Sequence, residues 1–159
     1  MSNEPSRRRF LTVIAQGSGA ACVATLGVAC GGGEGSSDEG GTGSTPTGTI
    51  SAGNVSAIAA SSLTAVSGNA VAIGRDSGGL YALSLICTHQ GCDMSSQGSV
   101  AISGINCSCH DSNFDANGNV LSGPAHTALP HYKVTVSTAG EVTIDASTEV
   151  AATVRTAVA

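Results

Sequence analysis

The sequence of 159 residues has no tryptophan and only two tyrosines and two phenylalanines. Aromatic side chains bury more apolar area apiece than any others. A core here must therefore be assembled from Val, Ile, Leu and Ala, and a small domain built that way gains from a covalent or metal staple. Charge is sparse too, at 11% of residues, and basic charge is the scarcer kind, with six Lys and Arg against eleven Asp and Glu. Arg7, Arg8 and Arg9 lie together at the amino terminus, which leaves Arg75, Lys133 and Arg155 for the rest of the chain. So little positive charge argues against nucleic acid as a partner. The acidity suits solubility, or a basic protein partner. Long apolar runs are also missing, since the mildly hydrophobic stretch up to Ala29 is broken by Gln16, Ser18 and several glycines.

Four stretches follow one another. Residues 1–30 contain Ser6-Arg7-Arg8-Arg9-Phe10-Leu11 ahead of that stretch and resemble a twin-arginine export signal. That route moves folded proteins, which suits a chain whose cofactor is inserted before export. The length to Ala29 also just permits a membrane span, so a retained anchor stays open. Cys30, after Gly27-Val28-Ala29 and before a polar run, looks like the lipid-accepting cysteine of a bacterial lipoprotein, with Cys22 a weaker alternative. The expected location is the periplasmic side of the cytoplasmic membrane. Residues 31–49 are nearly all Gly, Ser, Thr, Asp and Glu and form a flexible tether with a reach of roughly 25 Å. Residues 50–146 make one folded domain, and the small, polar tail 147–159 is expected to fray.

Within the domain the patterns are those of strands. Ala70–Arg75 and Leu80–Ile86 flank Asp76-Ser77-Gly78-Gly79, Phe114–Leu121 folds around Asn117-Gly118, and Tyr132–Val136 with Glu141–Ile144 alternates around Ala139-Gly140. No helical period is sustained between residues 65 and 146. The expected fold class is all-β and antiparallel.

Apart from Cys22 and Cys30, the cysteines sit in two short segments. These are Cys87-Thr88-His89-Gln90-Gly91-Cys92 and Cys107-Ser108-Cys109-His110-Asp111-Ser112, each following an apolar run that ends at Ile86 or Ile105. Two loops projecting from one end of a sheet would face each other. Four thiols and two imidazoles exceed what a tetrahedral zinc site needs, and the Cys-x-Cys-His order differs from zinc-finger spacing. From the residues alone, a redox metal centre stands beside a non-redox module that binds zinc or forms two disulfides.

Over about residues 65–145 the chain resembles the Rieske family, in particular its disulfide-containing, high-potential branch found in quinol-oxidising cytochrome complexes and in the small subunit of arsenite oxidase. The matching residues are Cys87-Thr88-His89-x-Gly91-Cys92, Cys107-x-Cys109-His110-x-Ser112, Phe114-Asp115 and Gly123-Pro124-Ala125. The resemblance implies an antiparallel β-sandwich with a small cluster-binding subdomain of loops. It also implies one [2Fe–2S] cluster, with Cys87 and Cys107 on one iron and His89 and His110 on the other. By the same resemblance Cys92 and Cys109 form a disulfide between the loops, Pro124 lies on a third covering loop, and the Ser112 hydroxyl donates to a bridging sulfide. Replacing two thiolates by two neutral imidazoles leaves the oxidised centre uncharged. That moves such clusters from about −400 mV to a range of roughly −150 to +300 mV. A ligated imidazole can also lose its remaining ring proton on oxidation and regain it on reduction.

The resemblance further implies an electron-transfer subunit rather than a free-standing enzyme. Its expected partners are a quinol with cytochrome b and a cytochrome c-type acceptor, or alternatively another exported oxidoreductase served as by a small ferredoxin. The mononuclear iron domain of a ring dioxygenase is not expected within these 159 residues. Five positions depart from the family pattern. Phe114 replaces a tyrosine that donates to a ligand sulfur, and Asp111 replaces a glycine beside His110, and both changes should lower the potential. Gln90 stands where quinol-oxidising members have leucine, Ser108 replaces a proline, and His126 replaces the second proline of Gly-Pro-Ala-Pro.

Overall fold

The computed structural model describes residues 42–158. The arginine motif, Cys22, Cys30 and the start of the tether lie outside the described residues. The strands are β1 (Thr49–Asn54), β2 (Ser62–Ala65), β3 (Val71–Asp76), β4 (Gly79–Ser84), β5 (Gly98–Ala101), β6 (Gly104–Cys107), β7 (Ser112–Phe114), β8 (Val120–Ser122), β9 (His131–Val136) and β10 (Glu141–Val150). A 3-10 turn, Val55–Ala57, is capped by the Asn54 side chain, which accepts from the Ser56 N–H. The all-β expectation is met, and among the described residues no helix is long and apolar enough to cross a membrane.

Six strands form one antiparallel sheet in the order β1-β10-β9-β4-β3-β2, and four form a second in the order β5-β6-β7-β8. The predicted β3–β4 hairpin pairs Val71 with Ser84 through Asp76 with Gly79. The predicted β9–β10 hairpin pairs Val136 with Val142 and Val134 with Ile144. Every residue of β4 is buried because both its faces are covered. Leu80 and Ala82 face one apolar cluster with Val71, Ile73, Val134, Val142 and Ile144. Their neighbours Tyr81 and Leu83 face another, with Ala72, Leu85, Met94, Ile105, Phe114 and three cysteines. The period-two alternation of a strand thus places β4 between the two halves of the domain.

The ends are better ordered than their composition promised. The tail does not fray at Ala146: β10 runs to Val150, shifting register between Asp145 and Glu149 to pair again with Tyr132 and His131. Beyond it, Leu80 and Thr156 exchange N–H···O bonds of 2.9 and 2.8 Å. Arg155 meets Asp76 at 2.6 Å, donates to the Asn117 side chain at 2.7 Å and lies 4.2 Å from the Tyr81 ring centre. Backbone pairing is indifferent to side-chain polarity, and composition therefore misjudged this segment. The boundary at residue 50 shifts likewise, since β1 begins at Thr49 and Thr42 already pairs with Cys92.

Candidate metal centre

The two cysteine segments sit in adjacent turns at one end of the four-stranded sheet. The first is a tight hairpin in which the Cys87 N–H donates to the Cys92 carbonyl (2.9 Å) and the Gly91 N–H to the Cys87 carbonyl (2.8 Å). Gly91 takes a φ of +74°, a left-handed conformation that costs glycine little. In the second, Cys107 ends β6, and the Asp111 N–H closes the turn on the Cys107 carbonyl at 3.0 Å. Asp111 has a φ of +59°, which a residue with a Cβ adopts at a cost of about 1 kcal/mol.

A third segment locks the pair. The Ala125 N–H donates to the Ser112 hydroxyl at 3.1 Å, and Thr88 donates to the Thr127 carbonyl at 2.6 Å. Gly123 packs so closely on Asp111 and Ser112 that a Cβ there would meet the Asp111 carbonyl oxygen. Ser112 is fully buried, and with its oxygen accepting from Ala125 its own proton is left for another acceptor.

Cys92 and Cys109 are joined by a disulfide, as the family resemblance implied. Cys87 and Cys107 are free and buried, 3% and 1% exposed. The His89 and His110 rings meet edge to face with centroids 4.8 Å apart, His110 exposed and His89 half-buried. The sulfurs of Cys92, Cys107 and Cys109 also lie within 4.8 Å of one another. That triad is no ligand set, because two of its members are consumed by the disulfide and Cys107 alone remains a thiol.

Burial pushes the Cys107 thiol above its ordinary value, and the neighbouring Cys87 adds to the rise, while the Cys109 and His110 backbone N–H groups pull the other way. Two neighbouring buried thiols pack as small apolar groups, and once deprotonated they form a cation-binding pair. The second sign is His89 Nδ1, a buried ring nitrogen with no hydrogen-bond partner among the described residues. Orphaned polar atoms of this kind call for an explanation. Thiols inside, imidazoles at the rim and an unsatisfied nitrogen beside them fit a metal cluster with mixed sulfur and nitrogen ligation.

The family model of the Rieske [2Fe-2S] domain matches residues 50–133, slightly more than half of the chain. The chain belongs to the Rieske [2Fe-2S] domain family. It is thereby an iron–sulfur electron-transfer protein whose cofactor is a [2Fe–2S] cluster. Over 70 residues it is 43% identical to the cytochrome bc1 complex Rieske iron-sulfur subunit of Corynebacterium efficiens, an alignment covering 43% of this chain and 17% of that one. Over 66 residues it is 41% identical to the cytochrome b6-f complex iron-sulfur subunit of Synechococcus sp. (strain WH7803), covering 40% of this chain and 34% of that one. The carotenoid phi-ring synthase of Chlorobaculum tepidum is 36% identical over 78 residues, 49% of this chain and 11% of that protein. The chain thus covers at most about a third of the length of these relatives. Among solved structures, the cyanobacterial plasma membrane Rieske protein from Synechocystis PCC 6803 aligns with a TM-score of 0.43 and 24% identity, covering 60% of this chain and 98% of that one.

Proposed function

We propose that this chain is the membrane-tethered iron–sulfur subunit of a quinol:cytochrome oxidoreductase, working at the outer face of the cytoplasmic membrane. The carrying observation is the pairing of two buried free thiols, Cys87 and Cys107, with two imidazoles in contact, His89 and His110. In this reading the thiols hold one iron and the imidazoles the other, with His89 using the buried Nδ1. When bound, the cluster supplies reversible one-electron chemistry at a potential above that of all-thiolate centres.

The chain's own residues do the rest. The disulfide and Thr88 hold the loops in register and keep water from the thiols. The Cys109 and His110 N–H groups disperse negative charge on Cys107, and the spare Ser112 proton does the same toward the inorganic sulfur. The exposed His110 ring is the group a quinol hydroxyl can reach. The leader supports attachment by an anchor or by lipid on Cys30.

A second reading has a specific observation behind it: Gln90, at the tip of the first loop, is exposed and polar, and so is Asp111 on the second. A polar tip suits a soluble partner, making the chain a small electron-transfer subunit or ferredoxin-like carrier for another exported oxidoreductase. The test is reduction by quinol analogues in stopped flow. Fast reduction supports the first reading, while none, with ready reduction by an exported oxidoreductase encoded beside it, selects the second.

A further inference from the structure

The residues just before β1 take part in the site, although their composition reads as spacer. The first loop is a miniature hairpin in which Ile86 bridges Asp93 and the Met94 N–H donates to the Leu85 carbonyl at 2.8 Å. Thr42 forms an antiparallel bridge with Cys92, and the Gly43 N–H donates to the Gly91 carbonyl at 2.7 Å. One edge of the hairpin is therefore paired by the chain's own tether, a strand addition within one molecule.

Packing is as selective as the bonding. A Cβ on Gly43 would run into the Ile86 side chain and come within 3.0 Å of the Asp93 Cβ and 3.3 Å of its Cα. A Cβ on Gly91 would stand 3.2 Å from the Thr42 methyl group. Both chains approach at glycine, so the contact is closer than two ordinary residues would permit. From Gly43 the chain runs to β1, where the Gly48 carbonyl accepts from the Ala146 N–H at 2.8 Å. The segment is thus fixed at both ends.

We propose that Thr42 and Gly43 form a strap that positions the Cys87–Cys92 loop, making the end of the tether part of the cluster site. The inference rests on the ligand roles given above for Cys87 and His89. The strap grips the side of the loop that holds Gly91 and the disulfide-bonded Cys92, and through the Cys87–Cys92 pairing it fixes where Cys87 and His89 stand. Thr42 and Gly43 are positioning residues, acting on the metal through the loop. Losing one such hydrogen bond from a paired edge corresponds to about a fivefold change in an opening equilibrium.

The experiment uses the full-length, iron-loaded protein and the variants Gly43→Pro, which removes the N–H, Gly43→Ala, which adds only a Cβ, and Thr47→Ala as a control outside the bridge. Expected is iron release to a chelator about fivefold faster for Gly43→Pro and faster than wild type for Gly43→Ala, whose Cβ displaces the strap from Ile86 and Asp93, each with a shifted midpoint potential and rhombic paramagnetic signal. Thr47→Ala should match wild type, and thermal unfolding of the sheets should be unchanged throughout. If Gly43→Pro does not fold, Gly43→Ala and amide exchange at Gly43 in the wild type decide, with slow exchange supporting the strap and exchange at the rate of an open chain refuting it. Iron-loaded Gly43 variants with unaltered release, potential and signal overturn the strap alone. An iron-free wild type overturns the ligand assignment beneath it as well.

Discussion

The two buried clusters among the described residues are made of different material. The one inside the six-stranded sheet is hydrocarbon, drawn from Val71, Ile73, Leu80, Val134, Val142 and Ile144 on strands four to ten residues long. The one beneath the loops contains Cys87, Cys92, Cys107 and Met94 among Leu and Phe, and its strands β5–β8 are only three or four residues long. The first rests on hydrocarbon burial and on long strand ladders. The second is no poorer in hydrocarbon, but its own strands form only short ladders, and sulfur chemistry is built into it. A half-domain with such short strands gains from a disulfide and a metal cluster that hold its loops.

That contrast is most sharply tested by exchanging a ligand. His110→Cys should drop the midpoint potential by hundreds of millivolts, toward the value of about −400 mV of all-thiolate clusters, or lose iron outright. Redox titration is the check, and an unchanged potential would remove His110 from the ligand set. Cys92→Ser, which opens a clamp between residues 17 apart, should cost about 3 kcal/mol of stability in denaturant titrations while shifting the potential much less. Equal loss of iron in both variants would contradict this division between ligand and clamp.

Arg155→Ala tests the join between the two sides, since its partners lie on both. It removes an ion pair with Asp76, a hydrogen bond to Asn117 and a stacking contact on Tyr81. It should lower stability by about 1–2 kcal/mol with iron content and potential unmoved. The acid side of the stability curve should show two steps. Burial holds His131 below its ordinary 6.5, where its Nε2 lies 2.9 Å from the Asn117 carbonyl. The unfolded chain takes up that proton first, so the His131 contribution is complete above about 6.5 and is lost as pH falls through the folded value. For Asp76, desolvation is outweighed by Arg155 and the Gly78 and Gly79 N–H groups, leaving its carboxyl below 3.8, so its contribution is lost only in stronger acid. Melting temperature against pH checks both, and Arg155→Ala should flatten the lower step most while also reducing the upper one, since the Arg155 charge helps to hold His131 below its ordinary value. Smallest of all, Phe114→Tyr should raise the potential slightly if a hydroxyl on this buried ring reaches a ligand sulfur. A midpoint that stays put would reject that geometry.

Much of this was legible in the residues. Hairpins β3–β4 and β9–β10 announced themselves through alternation around Gly-containing turns, because side-chain direction in a strand follows the chain's own period. The spacing of Cys87, His89, Cys107 and His110 marked two short loops, and the fold places the His89 and His110 rings in contact and leaves Cys87 and Cys107 as buried free thiols, which is what the proposed ligand set needs. Missed were the contacts made by backbone. Thr42 on Cys92 and Thr156 on Leu80 use N–H and carbonyl groups that every residue owns, so Gly- and Ser-rich composition carried no trace of them. The Arg155 network escaped too, since Asp76, Tyr81 and Asn117 meet it only in three dimensions.

The most direct test of the account is the metal content of the full-length chain, purified without added metal and reduced by one electron under anaerobic conditions. Two irons and two acid-labile sulfides per chain, with a rhombic paramagnetic signal that His110→Cys alters, are the predicted result. A colourless protein holding zinc, or no metal with Cys87 and Cys107 freely alkylated, would contradict it.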